Sequence, residues 1–372
     1  MASELSVHSY DEWTRLREVI VGCASGYRLH HLDSSFALFY YENLYEPLSQ
    51  VTADGRLVSI PERILDELQE DIRGFVDALE SFGARVLRPV EIPEQPDLVT
   101  PWWRSIGTPA LNVRDQTLIL GDTIIETAPH VRGRIAENDY LKPIFYNYFA
   151  AGSGWITMPR PTLARGVLDP SYFVDQGLSV ERALEADDAK EFPQLGYEMV
   201  FDGAQCIRLG NDILVNIASQ NHELAFTWLS RMFDDKFTFH RIERLADNHI
   251  DSIILPLRPG LLLLRSPEYL KYLPYGLREW DVIYAPPVSE ASFAQYDGIL
   301  FPLASKFIDM NVLSLDSNTI IVNSLYPELI EVLEARSFDV IPVRHRHRRL
   351  FGGGFHCFTL DSVRDGGRES YF

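Results

Sequence analysis

The sequence predicts an α/β fold built from repeated units of strand, strand, helix and strand. Four segments have the pattern of a β-hairpin, with two apolar runs around a polar or glycine-containing turn. A segment with helical character and then a short apolar segment follow each of them. Sequence similarity between the units is weak and their spacing is uneven. Such units could stack as a solenoid or close into a ring, and the pattern alone leaves both open.

The four predicted hairpins turn at residues that favour tight turns. They span 117–127, 206–216, 252–265 and 312–324, with turns at Gly-Asp, Gly-Asn-Asp, Arg-Pro-Gly and Asp-Ser-Asn. The helices expected after them cover 141–152, 221–233, 267–280 and 327–338, and the closing strands cover 155–159, 236–242, 281–287 and 339–343.

The N-terminal part supplies a fifth unit of the same kind. A strand is predicted over 16–22 and another over 84–90. A helix over 62–83 lies between them, with apolar residues at helical spacing: Leu65, Leu68, Ile72, Phe75, Val76 and Leu79. The last apolar segment, 355–361, lacks a hairpin partner. Pairing with 16–22 would close a ring and bring Cys357 near its centre.

Composition excludes several classes of function. The chain of 372 residues is 46% hydrophobic and has no long linker or low-complexity run, so we expect one domain over residues 1–372. Its net charge of −19 disfavours a nucleic-acid partner, because phosphates would repel it. The acidic excess indicates either solubility alone or carboxylates around a cationic substrate.

The sequence also indicates a compartment. No apolar stretch approaches the roughly 20 residues that a membrane span needs, so no membrane partner is expected. The N-terminus lacks the basic and apolar regions of a secretory signal. Cys23, Cys206 and Cys357 are too widely spaced for a disulfide framework or a CxxC metal site. We therefore expect a cytoplasmic protein with free thiols.

The stretch LFGGGFHCFTLD contains the first candidate for chemistry. Its glycines, 352–354, tolerate positive φ and close contacts, so they can direct the following side chains into a cavity. On an extended strand His356 and Cys357 would point to opposite faces, so we expect His356 to be structural and not the base of the cysteine. Cys357 by itself is either a buried small residue or a nucleophile.

Three further stretches place polar side chains at comparable positions in other units. His249 and Asp251 lie two residues apart just before a predicted strand, and a histidine distant in sequence is usual in Cys–His catalysis. Asp202 precedes the hairpin 206–216 and could orient an imidazole. Asp115 precedes the first hairpin in the same way. Each alone could be structural, but their shared placement together with Cys357 indicates one site.

Several motifs give the sequence a specific resemblance. In chain order they are SYDEWTRLREVIVG, NVRD with GDTIIET, PRPTL, FDGA, HID, SKFIDMN and GGGFHCFTLD. Together they resemble the arginine amidinotransferases along nearly the whole chain, and GGGFHC is the most specific of them. The resemblance implies a five-bladed α/β propeller of ββαβ units, the pentein fold, and a single amidinotransferase domain over 1–372.

The resemblance also implies roles for the candidate residues. Cys357 is the expected nucleophile, His249 the general acid and base, and Asp202 the carboxylate that orients it. Asp115 and Asp251 are expected to hold the donor's guanidinium. The implied reaction moves the amidino group of L-arginine through an amidino-cysteine to an amine and releases L-ornithine, with no metal or organic cofactor.

Recognition of the donor's amino-acid end is less well matched. Ser305 matches a serine near that end of the donor. An arginine expected downstream of HID falls on Glu268, and Arg265, three residues earlier, could replace it. After Asp202 the family's second carboxylate is replaced by Gln205, which leaves the polarity around Asp202 in question. The aromatic loop 26–47 borders the acceptor side in the family and favours an acceptor larger than glycine.

The stretch RHRHRRL, 344–350, is the one basic cluster of this acidic chain. It is interpreted either as a solvated loop or as an entrance for an anionic or polar acceptor. A metal site at His345 and His347 is disfavoured, because no third ligand is apparent.

Two other functions stay open at this point. A hydrolase of the same superfamily would resolve the intermediate with water, and a binding protein on this scaffold would lack the nucleophile or the histidine. GGGFHC favours transfer. The partners expected are L-arginine and an amine, which glycine, lysine, an aminocyclitol or a toxin precursor could supply, and a homodimer is left open.

Overall fold

The fold is described from a computed structural model of the chain. The structure describes residues 5–30, 33–39, 58–169, 171, 189–191, 196–246, 248–296, 300 and 302–371. Much of the aromatic loop 26–47, at residues 31, 32 and 40–47, lies outside the described residues.

Five three-stranded sheets with the same connectivity dominate the described chain. In each, the first two strands are antiparallel and the third is parallel to the second. Sheet 1 contains Thr359–Arg364, Leu16–Val21 and Arg85–Leu87; sheet 2 contains Thr117–Leu120, Thr123–Glu126 and Gly154–Thr157; sheet 3 contains Cys206–Leu209, Asp212–Ile217 and Thr238–Glu243; sheet 4 contains Ile254–Arg258, Leu261–Leu264 and Asp281–Tyr284; sheet 5 contains Leu313–Ser314, Thr319–Asn323 and Asp339–Val343. None of these sheets closes on itself within the described residues.

All four predicted hairpins are present with the predicted turns. Gly121 and Gly210 have φ of 60° and 72°, a backbone region that favours glycine, which explains its place in these two-residue turns. In sheet 5 the turn is closed instead by Asp316, whose carboxylate accepts the backbone N–H groups of Asn318 and Thr319.

One helix of each unit connects the second strand to the third. The helices of sheets 1, 2, 3 and 5 are Glu62–Phe82, Lys142–Ala150, Gln220–Phe233 and Pro327–Ala335. In the unit of sheet 4 the predicted continuous helix over 267–280 is wrong. A 3-10 helix, Pro267–Tyr272, is followed by the single turn Tyr275–Arg278. Pro274 separates them, because proline has no N–H to donate and clashes with the preceding helical turn.

Smaller elements lie between the units. They are the helices Ser34–Phe39 and Val113–Gln116, the 3-10 helices Arg132–Arg134, Glu137–Tyr140, Gly203–Gln205, Glu290–Ser292 and Lys306–Met310, and the paired strands Leu29–His30 with Val58–Ser59 and Asp97–Val99 with Arg104–Ile106.

Apolar side chains cover both faces of the sheets. The helix Glu62–Phe82 buries Ile64, Leu68, Ile72, Phe75 and Leu79 against sheets 1 and 5. This agrees with the predicted stripe except that Ile64 replaces Leu65 as the buried residue of the first turn and Val76 is only partly buried.

No helix among the described residues combines the length and the apolar character that crossing a membrane requires.

Charged residues are buried where the units approach one another. Glu12 and Asp361 contact Arg208, at 2.8 and 2.6 Å, and Arg114 and Arg364 complete the cluster. Each member is at most 5% exposed. Buried ions need such partners, because an unpaired charge in the interior is costly. We call these five residues the ion cluster.

The C-terminal segment pairs with the predicted partner, but its strand begins four residues later than predicted and ends three residues later. Thr359–Arg364 runs antiparallel to Leu16–Val21. The strand begins after Cys357, and the backbone N–H of Phe358 donates to the carbonyl of Gly354 at 3.0 Å. His356 and Cys357 therefore lie in a turn, and the expectation that they alternate across a strand is wrong.

Candidate active site

The glycine-rich turn holds Cys357 against Asn311. The backbone N–H of Cys357 donates to Oδ1 of Asn311 at 2.8 Å, and the backbone N–H of His356 donates to the Asn311 carbonyl. A Cβ on Gly354 would lie 2.6 Å from Cβ of Asn311, and one on Gly353 would lie 2.0 Å from Oδ1 of Asn112. Two glycines are thus needed for the turn to approach its neighbours this closely.

The thiol of Cys357 faces a carboxylate. Its Sγ lies 3.3 Å from Oδ2 of Asp251, and the cysteine is 2% exposed. Burial and the negative charges of Asp251 and Asp115 raise the pKa of the thiol well above its usual value. In the site without substrate, sulfur therefore keeps its proton, and a cation between the carboxylates would favour the thiolate.

His356 does more than the sequence indicated. Its Nδ1 lies 2.8 Å from Oδ2 of Asp251, the same oxygen that Cys357 contacts, and its Nε2 lies 3.2 Å from Oε2 of Glu12. Burial would raise the pKa of Asp251, but the hydrogen bond from His356 and the nearby positive charge lower it to about 2. The ring therefore orients Asp251 and connects it to the ion cluster, which no feature of GGGFHC foretold.

His249 and Asp202 form the second half of the site. Nε2 of His249 lies 2.9 Å from Oδ2 of Asp202, and its Nδ1 lies 3.7 Å from Oδ1 of Asp115. Burial would lower the pKa of His249, but Asp115, Asp202 and Asp251 raise it to about 9. The imidazole is therefore protonated at neutral pH, the form that a general acid needs.

Asp202 is fixed by the turn that it begins. It is the N-cap of Gly203–Gln205, where the Gln205 side chain accepts the Asp202 backbone N–H at 2.9 Å. The Gln205 amide also donates to the carbonyl of Asn216. Gln205 therefore keeps this position polar although the expected carboxylate is lost. Burial would raise the pKa of Asp202, but His130 and His249 hold it far below its usual range.

Two buried histidines beside Asp202 were missed from the sequence. Nδ1 of His130 lies 3.0 Å from Oδ1 of Asp202, with its N–H turned off the line between the atoms. Nε2 of His130 lies 2.8 Å from Nε2 of His222, whose Nδ1 accepts the backbone N–H of Ala218. The ring of Phe39 lies 5.2 Å from the rings of both His130 and His249. No local motif marks these residues.

Asp115 has one occupied and one open oxygen. Its Oδ2 accepts from Nη1 of Arg134 at 2.7 Å, and Arg134 also pairs with Glu137 at 2.9 Å. Its buried Oδ1 has no hydrogen-bond partner among the described residues. Burial raises the pKa of Asp115, and burial together with the Asp115 charge raises that of Glu137 to about 7. The open oxygen of Asp115 is an acceptor for a cationic N–H donor.

Comparison with known proteins assigns the family. Inosamine-phosphate amidinotransferase 1 of Streptomyces griseus is 34% identical to this chain over 371 residues, 99% of each protein. This chain belongs to the amidinotransferase family. It is an enzyme that transfers amidino groups. The L-arginine:L-lysine amidinotransferase of Pseudomonas savastanoi pv. phaseolicola is 32% identical over 370 residues, 98% of this chain and 96% of that relative. No protein-family model matches the chain.

Solved structures agree with that assignment. An inosamine-phosphate amidinotransferase from Streptomyces griseus superposes with a TM-score of 0.82 at 33% identity, over 98% of this chain and 99% of that one. An amidinotransferase of saxitoxin biosynthesis from Microseira wollei gives 0.80 at 28%, with the same coverages. A dimethylarginine dimethylaminohydrolase gives 0.56 at 13%, over 93% of this chain and 99% of that one, and supports the pentein fold alone.

The amidinotransferase brings five of the seven predicted site residues together. The contacts above link Cys357 to Asp251, and His249 to Asp202 and Asp115, and the two groups act on each other through their charges. Arg265 contacts Ser252, the residue that follows Asp251. Its Nε donates to the Ser252 carbonyl at 3.2 Å. Its guanidinium stacks 4.8 Å from the Phe307 ring.

The Ser305 side chain is also engaged in a hydrogen bond within its own segment. Its Oγ accepts the backbone N–H of Phe307 at 3.3 Å and so caps the 3-10 helix Lys306–Met310. Arg265 and Ser305 thus meet around Phe307. No described contact joins either residue to Cys357, Asp115 or Asp251.

The interpretation of the basic cluster 344–350 as a solvated loop is wrong, and its interpretation as an acceptor entrance stays a prediction. Arg348 pairs with Asp309 at 2.8 Å, Arg346 with Asp71, and His347 with Glu67, all within the protein. His345 is buried against the carbonyl of Gly353, and burial lowers its pKa to about 3. The cluster therefore anchors the glycine-rich turn to the helix Glu62–Phe82 and to the loop before sheet 5.

One group of side chains in the amidinotransferase has the spacing of a cation site. Ligand atoms of Asp115, Asp202 and His249 lie within 4.8 Å of one another. Arg134 occupies Oδ2 of Asp115, His249 occupies Oδ2 of Asp202, and His130 lies 3.0 Å from Oδ1 of Asp202. Oδ1 of Asp115 then suits an N–H donor better than a metal, which needs several free ligands.

Proposed function

We propose that this enzyme moves the amidino group of L-arginine to a primary amine through a covalent intermediate on Cys357, with release of L-ornithine. The observation that carries the proposal is the position of Asp251. Its carboxylate contacts the Cys357 thiol at 3.3 Å, and its negative charge also acts on His249. A nucleophile, an acid and two guanidinium acceptors are therefore grouped in one buried place.

The donor's guanidinium fits between Asp115 and Asp251. It is planar, carries one positive charge and has five N–H donors, which pair well with carboxylates on two sides. The open oxygen of Asp115 supplies one acceptor. Because these two carboxylates raise the pKa of Cys357, a bound guanidinium would neutralise them and release the thiol proton to solvent.

The first half-reaction uses His249 as an acid. The thiolate attacks the central carbon of the guanidinium, and a carbon–sulfur bond forms. The proton of the His249 imidazolium passes to the nitrogen that becomes the side-chain amine of ornithine, and the carbon–nitrogen bond breaks. Sulfur then carries a cationic amidino group, and His249 is neutral.

The second half-reaction reverses the roles. An acceptor amine replaces ornithine, His249 takes its proton, and the amine attacks the carbon held on sulfur. The carbon–sulfur bond breaks, and Cys357 leaves as a thiolate. Because the two amines use one place in turn, we expect ping-pong kinetics with parallel double-reciprocal lines.

The acceptor is proposed to be a precursor of a specialised metabolite. Relatives named for inosamine phosphate, for L-lysine and for saxitoxin biosynthesis support this class. We further propose that the five sheets are the blades of one propeller domain around the ion cluster. Three buried, unbridged cysteines are compatible with the cytoplasm.

A screen of amines tests the proposal. The enzyme is incubated with L-arginine and one amine at a time, for example lysine, glycine or an aminocyclitol, and guanidinated products are read by mass spectrometry. We expect ornithine and one guanidinated amine. Citrulline or urea-type products without an amine requirement would instead identify a hydrolase.

A further inference from the structure

Asp202 is held from two sides, and only one of them involves the reacting histidine. His249 occupies Oδ2 of the carboxylate, while the other buried oxygen, Oδ1, lies 3.0 Å from Nδ1 of His130 and has no hydrogen-bond partner among the described residues. Beyond His130 lies His222, and both are buried, at 8% and 2% exposure. Burial of two adjacent histidines indicates that they have a structural or functional role.

The backbone fixes the direction of every hydrogen bond in this group. The N–H of Ala218 donates to Nδ1 of His222, so the proton of neutral His222 is on Nε2. That proton points to Nε2 of His130 at 2.8 Å, which must accept it. The proton of neutral His130 is therefore on Nδ1, the atom beside Asp202.

The helix Gln220–Phe233 fixes His222, the residue of this group that lies farthest from Asp202. His222 lies in the first turn of the helix Gln220–Phe233, where its backbone N–H donates to the capping Ser219 hydroxyl. Burial and the neighbouring His130 keep the pKa of His222 well below its usual value, so the ring stays neutral. The orientation set by Ala218 thus persists across the neutral pH range.

We propose that His130 and His222 are positioning residues of the transfer reaction, which fix the plane of the Asp202 carboxylate and through it the ring of His249. The inference rests on the proposed function of His249 and adds two residues to it. Neither histidine touches the reacting atoms. Both act by keeping Nδ1 of His249 directed at the place between Asp115 and Asp251 that the donor would occupy.

The proposal predicts a specific change in pH dependence. The titratable groups that face His249 are Asp202, Asp115 and Asp251, and those that face Asp202 are His130, His249 and Asp115. Loss of the His130 N–H beside Oδ1 leaves Asp202 a stronger acceptor for His249. The pKa of His249 then rises, and the alkaline limb of kcat/KM for arginine moves to higher pH.

Two substitutions at one position separate positioning from packing. His130→Leu removes the donor, whereas His130→Asn keeps an N–H close to the place of Nδ1. We expect His130→Leu to lower kcat about tenfold to 100-fold, the usual scale for partners that orient a site residue, with little change in KM. His130→Asn should restore most of kcat and the wild-type alkaline limb.

A matched control is available in another histidine–carboxylate pair. His240 lies 2.7 Å from Asp212 in sheet 3 and takes no part in this group. His240→Leu should leave kcat and the alkaline limb unchanged. An unchanged kcat and limb in His130→Leu, or equal losses in His130→Leu and His130→Asn, would overturn the proposal.

A second measurement does not depend on catalysis. Long-range proton–nitrogen NMR of the histidine rings in the wild-type enzyme should show His222 protonated at Nε2 and His130 at Nδ1. The opposite tautomer of His130 would overturn the proposal even if the variants fail to fold. If the wild-type enzyme forms no ornithine while these tautomers are found, the proposed function fails and the hydrogen-bond chain stands.

Discussion

Oδ2 of Asp251 contacts both Sγ of Cys357, at 3.3 Å, and Nδ1 of His356, at 2.8 Å. One carboxylate oxygen thus faces the nucleophile and a buried imidazole. The contact raises the pKa of the thiol, while the imidazole keeps Asp251 ionised. Without a bound cation, the thiol of Cys357 therefore stays protonated.

Replacing Asp251 should make the free thiol more acidic. Its negative charge raises the pKa of Cys357, so Asp251→Asn lowers that pKa, and the midpoint of alkylation by iodoacetamide moves to lower pH. Alkylation rates at Cys357 between pH 6 and pH 10 measure this, with mass spectrometry of the modified peptide. Transfer should fall sharply in the same variant, because the guanidinium loses a partner. A midpoint shift to higher pH would contradict this electrostatic account.

Asp202→Asn should leave the fold intact and lower turnover by about 10³-fold or more, as in other sites where a carboxylate orients a histidine. Asp202 also raises the pKa of His249, which is about 9 in the intact site. Its removal should therefore move the alkaline limb of residual kcat/KM to lower pH. Asp212→Asn, in the His240 pair, is the matched control and should keep near-normal turnover. Near-normal turnover of Asp202→Asn itself would make Asp202 a structural residue.

Arg265→Ala tests recognition of the donor's α-carboxylate. If Arg265 takes that role, the variant should lose about 2–5 kcal/mol of transition-state binding for arginine, the scale of a truncated charge pair. Agmatine lacks the carboxylate and should be affected little. Lys306→Ala is the control, because Lys306 stacks on the same Phe307 ring at 5.6 Å. An equal loss of kcat/KM for both donors would remove Arg265 from the donor site.

Arg348 should matter for stability and not for chemistry directly. Arg348→Met leaves the buried carboxylate of Asp309 without its bidentate partner, which should lower the free energy of unfolding by about 3–5 kcal/mol. Urea unfolding followed by fluorescence measures the change. Arg17→Met, which breaks an exposed pair with Asp365, should have little effect. Equal effects of the two variants would mean that the basic cluster is not an anchor.

Local patterns predicted most of the secondary structure. Apolar runs around turn residues predicted all four hairpins, and helical spacing predicted the helix Glu62–Phe82. The pattern over 267–280 wrongly predicts one continuous helix, because Pro274 interrupts it. His356 and Cys357 were placed on a strand because their turn depends on contacts with Asn311, which is 46 residues away from Cys357.

The site was predictable only where a motif marked it. Cys357, His249 and Asp251 lie in short recognisable stretches, whereas His130 and His222 meet across 92 residues of sequence without one. The cluster 344–350 looked exposed because it is charged. Its partners, Asp71 and Asp309, come from other units, and their burial depends on tertiary packing that local sequence does not encode.

The covalent step can be observed directly. The enzyme is incubated with L-arginine and no amine, quenched in acid, digested and examined by mass spectrometry, with Cys357→Ala as the control. We predict an amidino adduct on Cys357, formed together with one ornithine per active site, and neither product in the variant. Absence of an adduct while transfer continues, or an adduct on Cys23 or Cys206, would contradict the account.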